Sequence, residues 1–380
     1  MSDQFSQVTT QGWGQRLGGS LMAALFGLLL VPASIILLYW NEGRAVNAAT
    51  ALRSGAASIM EVLPGAVDPH AEGKLVHVTG MMQAATAARD PVFGVSGSGT
   101  LRLSRSVEMY QWKEQSSSHS EQSVGGSKTT ETSYTYQHVW SAQPVASAQF
   151  KVPGGHENPP MPLQSATFDG GGITLGAYQV DPPVLAKLDD FSSLAPTTPP
   201  PPDYKLVGDA FYHGQDANQP AIGDVRVKFS AIPAQTVSVA AAQSGGVLTS
   251  YREASGYTIA LAEPGVVPAA ALFQDAQRAA GRVTWILRGV GFVMMLIGLI
   301  CLTSPLTMLF AVLPFLETLV GTGVFLVAFT LAVPLTLLTI GLAWFAHRPL
   351  VGGGILVAAV ASLILLRRLH PRRAARAEAR

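Results

Sequence analysis

A chain of 380 residues could hold two or three ordinary domains, but only 13% of this one is charged and its mean hydropathy is +0.30, which excludes an ordinary water-soluble protein. The formal net charge is +1, so the basic face that nucleic-acid binding requires is missing. One cysteine, Cys301, excludes an intramolecular disulfide and an intrachain cysteine-rich zinc site.

In chain order, residues 1–16 are polar and read as a loose cytoplasmic tail. Residues 17–40 follow without a charge, long enough to cross a bilayer, and end on Tyr39-Trp40, the aromatic pair of a membrane interface. A cleavable signal peptide is the competing reading, but its apolar core would be shorter. Pro32 kinks this first span. Residues 41–65 are Ala-rich and extend the helix outward until Pro64-Gly65 ends it.

The pattern then changes to period two, with more Gly, Ser, Thr and Val, so residues 66–195 read as a β-rich subdomain. Strands are expected at Lys74–Thr79, Ser106–Glu114, Thr132–Ser141 and Ile173–Val180, with a short helix over Pro183–Phe191. The second and third strands flank a Ser/Gly/Gln-rich segment and form a hairpin with a mobile tip. Alternation puts Glu108, Tyr110 and Trp112 on one face, and likewise Tyr134, Tyr136, His138 and Trp140. If the two faces coincide they make an aromatic ladder, a common structural device in sheets. The proline-rich run 196–202 favours polyproline II and divides the region. A second β-rich subdomain, 203–265, has strands at Ala210–His213, Asp224–Ala231, Gln235–Ala242, Leu248–Tyr251 and Tyr257–Leu261. Its order resembles that of the first, which raises a duplicated β unit as a hypothesis.

A helical lead-in, 266–288, starts behind Pro268 and runs into the bilayer. From Gly289 to Leu366 only Glu317, His347 and Arg348 can carry charge. Glu317 and the His347-Arg348-Pro349 cluster divide this stretch into three spans, 289–313, 321–345 and 349–366. Pro305–Pro314 either completes a span or re-enters. The tail 367–380 holds six arginines against Glu378 and is placed in the cytoplasm by the positive-inside rule. Four crossings put the amino terminus on that side and the β-rich region on the other. The expected fold is therefore an α+β membrane protein, with four transmembrane helices, one amino-terminal and three carboxyl-terminal, flanking a large β-rich extracytoplasmic domain.

No HExxH, GxSxG or Walker A sequence occurs, and no catalytic, cofactor or metal residue is assigned. His77, His138 and His213 read as ordinary sheet histidines. His156 in the GGHENPP loop is more open to a role, although a turn held by His156 and Asn158 is the simpler reading. Tyr110, Trp112, His156, Asn158 and His213 are the candidate partner or ligand surface. Glu317 reads as an interfacial loop acid. Gly321, Gly323, Gly352, Gly353 and Gly354 are candidates for close helix packing or self-association.

Eight stretches in order carry a family resemblance: NEGRA at Asn41–Ala45, EGKLVHVTG at Glu72–Gly80, DPVFGV at Asp90–Val95, VEMYQWKE at Val107–Glu114, GHENP at Gly155–Pro159, GDAFYH at Gly208–His213, GDVRVKF at Gly223–Phe229 and HRPL at His347–Leu350. With one plus three spans around a large domain, the chain resembles the LUMA family of multi-pass membrane proteins. The resemblance implies a non-enzymatic membrane scaffold that self-associates, with membrane lipids and other membrane proteins as partners. In animals it implies the endoplasmic reticulum and inner nuclear membrane, with the domain luminal and lamins among the partners. The Ala-, Gly- and Arg-rich composition suggests instead a bacterial inner membrane with the domain periplasmic, where lamins have no place. The rival readings are a transporter or channel component, and a membrane-anchored ligand sensor or hydrolase using the His156 loop.

Overall fold

The computed structural model describes residues 4–347 together with 354, 357, 358, 360–362 and 364. The predicted fourth span, 349–366, and the arginine tail lie largely outside the described residues, as do Gly352 and Gly353. Among the described residues, three helices are long and apolar enough to cross a membrane.

In chain order the elements are β1 (Gln4–Gln11), α1 (Trp13–Ser58), β2 (Met60–Glu61), β3 (Leu75–Thr86), β4 (Arg102–Gln122), β5 (Lys128–Ser141), β6 (Ala166–Asp169), β7 (Gly171–Leu175), β8 (Tyr178–Val180), α2 (Pro182–Leu185) and β9 (Ser192–Leu194). They continue with β10 (Lys205–Val207), β11 (Ala210–His213), β12 (Val225–Ile232), β13 (Gln235–Ser244), β14 (Val247–Thr249), β15 (Tyr251–Arg252), β16 (Thr258–Ile259), β17 (Leu261–Pro264), α3 (Ala269–Leu309) and α4 (Pro314–His347). They fall into two compact units. One is made of residues 1–7, 51–117 and 132–276, the other of residues 8–50, 118–131 and 277–380.

The β unit has two main sheets. In one, the order is β1-β5-β4-β12-β11-β10, with β6 on β4 and β9 on β12. In the other, β3 pairs with β13, β13 with β14, β14 with β8, β8 with β7 and β7 with β3, so five strands close into a ring. Closure removes free edges among these strands. Val76, Val78, Met82, Leu175, Tyr178, Val237, Val239 and Leu248 fill the core of this second sheet, and burying each large apolar side chain contributes about 1.5–3 kcal/mol. A separate core holds Phe93, Leu103, Val107, Met109, Phe211, Val227 and Phe229. The DPVFGV turn reaches it through Phe93, stacked on Phe211 at 5.3 Å. Asp90 fixes that turn by accepting from the backbone of Val92 and Phe93, and pairs with buried Arg105 at 2.7 Å.

Five expectations are corrected here. The amino-terminal tail is not loose over Gln4–Gln11, which add a strand to β5. The proline run does not divide the β region, because β9 before it and β11 after it both pair with β12. The two halves are not duplicates: β11 and β12, which hold the first two expected strands of the second half, are neighbours in one sheet, whereas β3 and β4, which hold the first two of the first half, lie in different sheets. The predicted helix over Pro183–Phe191 shrinks to Pro182–Leu185. The strands of the hairpin also run far past the predicted ones, into sequence without apolar alternation.

In the helical unit α1 runs unbroken through Pro32 and α3 through Pro305; α4 starts on Pro314, whose missing N–H costs nothing in a first turn. Pro305–Pro314 is thus the end of one helix and a tight turn into the next. The outward faces are apolar, with Leu25, Phe26, Leu29, Ile36, Phe325 and Leu326 exposed. In a chain whose helices are apolar around most of their circumference, lipid is the natural solvent for such faces. Trp13 and Trp40 stand 27 positions apart on α1, or about 40 Å, close to the full thickness of a bilayer with its headgroups.

Candidate functional site

Within the β unit the aromatic ladder forms. Tyr110 lies 5.4 Å from His138 and 5.2 Å from Trp140, and Trp112 stands edge-on to His138 at 3.8 Å. Arg226 covers the Trp140 ring at 4.4 Å while pairing with Glu108 at 2.6 Å, which joins β12 to the ladder. The GGHENPP loop folds over the end of this face. His156 stacks on Tyr136 at 3.8 Å, meets Trp112 edge-on at 4.7 Å, and donates from Nδ1 to the Val152 carbonyl. Asn158 behaves as one residue of an added strand: its Oδ1 accepts from the Trp112 backbone N–H at 2.7 Å and its Nδ2 donates to the Trp112 carbonyl at 2.9 Å.

Of the five predicted surface residues, four therefore come together: Tyr110, Trp112, His156 and Asn158. His213 is elsewhere, with Tyr204 at 5.3 Å. A cleft of about 280 Å³ in the same unit is lined by other residues, among them Thr174, Gln179 and Asp181. Among the described residues no group of His, Cys, Asp and Glu is placed to hold a metal ion.

Burial raises the pKa of three phenols in the β unit, Tyr136, Tyr204 and Tyr212. Burial pushes Tyr136 above its usual pKa, reinforced by its hydrogen bond to Glu114; burial does the same to Tyr212, which donates to Asp224 at 2.5 Å. An unfolded tyrosine ionises near pH 10. Because the folded values lie higher, the stability these phenols contribute is complete below that pH and falls as pH rises through the folded values. Phenolate absorbance should show three late-titrating tyrosines, and Tyr212→Phe should remove one of them and reduce the alkaline loss of stability. A normal titration for every tyrosine would contradict the buried geometry.

The helical unit holds a second set of polar contacts, built on residues outside the predicted partner or ligand surface. Glu42, fully buried on α1, receives two bonds from Arg288 of α3, Nε to Oε1 and Nη2 to Oε2, each 2.7 Å, and a third from the Trp344 indole of α4. Beside it Asn41 donates to the Thr284 carbonyl, and Arg44 donates to Asn41 Oδ1 and Thr284 Oγ1. The NEGR stretch is thus a three-helix clamp. Its signal was an acid and an arginine directly after a span, next to Arg288 directly before another.

At the opposite end of α1, Arg16 pairs with Glu317 at 2.6 Å and the hairpin tip joins them, Gln122 donating to the same carboxylate at 2.7 Å. Gly126 of the tip has φ +80°, and a Cβ there would stand 2.6 Å from the Trp13 ring. Glycine is needed for both reasons.

Among the described residues, a Cβ on Gly321 would meet Thr307 at 3.7 Å, and nothing lies within 4 Å of one on Gly323 or Gly354. Glycines that do bring helices together within the chain include Gly27, Gly291 and Gly298: a Cβ on Gly27 would come 2.6 Å from the Gly298 carbonyl oxygen.

The family model described as Transmembrane protein 43 matches residues 109–349. The chain is 34% identical to Transmembrane protein 43 of Mus musculus over 376 residues, covering 95% of this chain and 93% of that protein. It is 33% identical to the Homo sapiens protein of that name, covering 89% and 88%. To the Transmembrane protein 43 homolog of Drosophila melanogaster it is 31% identical, covering 88% and 91%. No solved structure matches it.

Proposed function

This chain belongs to the transmembrane protein 43 family, the LUMA family of the sequence resemblance, and on that premise we propose that it is a self-associating membrane scaffold. Its β unit recognises neighbouring membrane proteins or lipids, and its helices hold that unit at the bilayer. The observation that carries this reading is the division of labour among glycines. Gly27, Gly291 and Gly298 are consumed in packing within the chain, whereas among the described residues only Thr307 approaches Gly321 and nothing stands against Gly323 on α4. Small residues on a lipid-exposed face let a second helix approach closely. The half-buried Tyr110, Trp112 and Trp140 supply rigid amphipathic area of the kind used at recognition surfaces.

Crosslinking in native membranes is expected to trap homo-oligomers, and Gly321→Leu with Gly323→Leu is expected to reduce them without changing the unfolding midpoint. A chain that stays monomeric in its native membrane and brings down no partner would overturn the proposal. Trp112→Ala tests the recognition face, since it should weaken partner capture while leaving oligomers intact.

A further inference from the structure

Within the helical unit, the clamp end of α1 and α3 carries more positive charge than its own carboxylate balances. Residues 38–50 and 279–292 hold one acid, Glu42, against Arg44, Arg282 and Arg288. Both oxygens of Glu42 accept from Arg288, at 2.7 Å each. Arg44, half-buried on α1, bonds only to neutral groups, its Nη2 donating to Asn41 Oδ1 and Thr284 Oγ1 at 3.1 Å. A guanidinium has five N–H hydrogens. Those on Nε and Nη1 of Arg44 meet no acceptor among the described residues, and Nε is shielded from water as well. Arg282 is exposed on α3 and has no ion pair among the described residues.

The depth of these two arginines follows from the tryptophans beside them. Trp40 and Trp285 are 57% and 70% exposed. They share a level, because their neighbours Asn41 and Thr284 are bonded to each other, side-chain amide to backbone carbonyl at 3.2 Å. Exposed indoles at the ends of two apolar spans mark the headgroup level of a bilayer. Arg44 lies four positions past Trp40, on the side away from the charge-free residues 17–40, but it leans back one turn to reach Asn41, so its guanidinium returns to the level of the indoles. Arg282 stands three positions before Trp285, about 4.5 Å further from the apolar run. Both cations therefore sit among headgroups and outside the hydrocarbon.

We propose that this end of the helical unit binds the headgroup phosphates of anionic phospholipids, with Arg44 as the main contact and Arg282 as a second one on α3. A guanidinium fork matches a phosphate and forms charge-assisted hydrogen bonds to it. One headgroup thus supplies Arg44 with the acceptor and the negative charge that the chain withholds. Asn41 and Thr284 are positioning residues: they hold Nη2 and leave the rest of the fork to the ligand. A soluble anion offers the same oxygens, but the indoles keep the site at a bilayer surface, where anionic headgroups are concentrated. The site uses none of the residues of the aromatic ladder and does not depend on self-association.

The test measures, by native mass spectrometry, the lipid retained by the full chain purified in neutral detergent and mixed with equal amounts of phosphatidylglycerol and phosphatidylcholine. The chain is expected to keep phosphatidylglycerol in preference. Arg44→Gln and Arg282→Gln should each cut that retention about fivefold, the worth of one basic residue at an anionic membrane surface. Arg252→Gln, exposed on β15, should leave it unchanged. An excess of inorganic phosphate should not displace the lipid; displacement would make this a site for a free anion and overturn the lipid assignment. Equal retention of the two lipids, or an equal loss in all three variants, overturns the proposal, as does unchanged retention in both Arg44→Gln and Arg282→Gln. Arg44 also ties α1 to α3, so if Arg44→Gln fails to fold, unchanged retention in Arg282→Gln is enough to overturn it.

Discussion

Glu42→Ala is expected to lower the stability of the protein in detergent by about 3–5 kcal/mol, the cost of stranding one partner of a buried ion pair. Arg288 would keep its charge with no carboxylate, and the Trp344 indole would lose its acceptor, so two helices lose their tie to α1 at once. Arg288→Ala should cost a similar amount for the mirror reason. The replacement of both by apolar residues of matching volume, Glu42→Met with Arg288→Leu, should recover most of the loss, because the desolvation cost of both charges disappears along with their attraction. Thermal unfolding of the four proteins ranks them. An unchanged midpoint for Glu42→Ala would mean that the three-helix clamp does not form in the membrane.

The second large effect concerns the α1–α3 contact. Gly27→Val should open it, since even the first carbon of a side chain would lie 2.6 Å from the Gly298 carbonyl oxygen and 2.8 Å from the Leu302 backbone nitrogen. Both obstacles are backbone, so relief requires the helices to separate, with a cost of about 1–3 kcal/mol or more from overpacking alone. Gly298→Ala should be milder, because its nearest obstacle, at 2.7 Å, is the Val31 side chain and the nearest backbone atom, the Val31 nitrogen, is at 3.2 Å. Gly323→Ala should not disturb the fold at all. A proteolysis or unfolding series that ranked Gly323 with Gly27 would show that the helices pack differently.

Much of the site was legible before folding was considered. Alternation along SVEMYQWKE and TSYTYQHVWS was enough to set Tyr110, Trp112, His138 and Trp140 on facing rungs, because a strand turns every second side chain the same way. His156 and Asn158 stood out as loop residues, but their partners were hidden: Asn158 pairs with the backbone of Trp112, 46 positions away, and no local pattern encodes such a reach. His213 looked equivalent to its neighbours in type and sits apart because β11 lies beyond β12 in the sheet.

By itself the sequence determined the class of solvent and the local geometry: long charge-free runs require lipid, period-two stretches require sheet, and eight ordered motifs identify the family. Only the tertiary structure decided which glycines bring helices together, that Glu42 holds three helices, and where the tip of a polar hairpin comes to rest. The reason is that hydropathy and periodicity act along the chain within a few residues, whereas a clamp between positions 42, 288 and 344 exists only after distant segments have met.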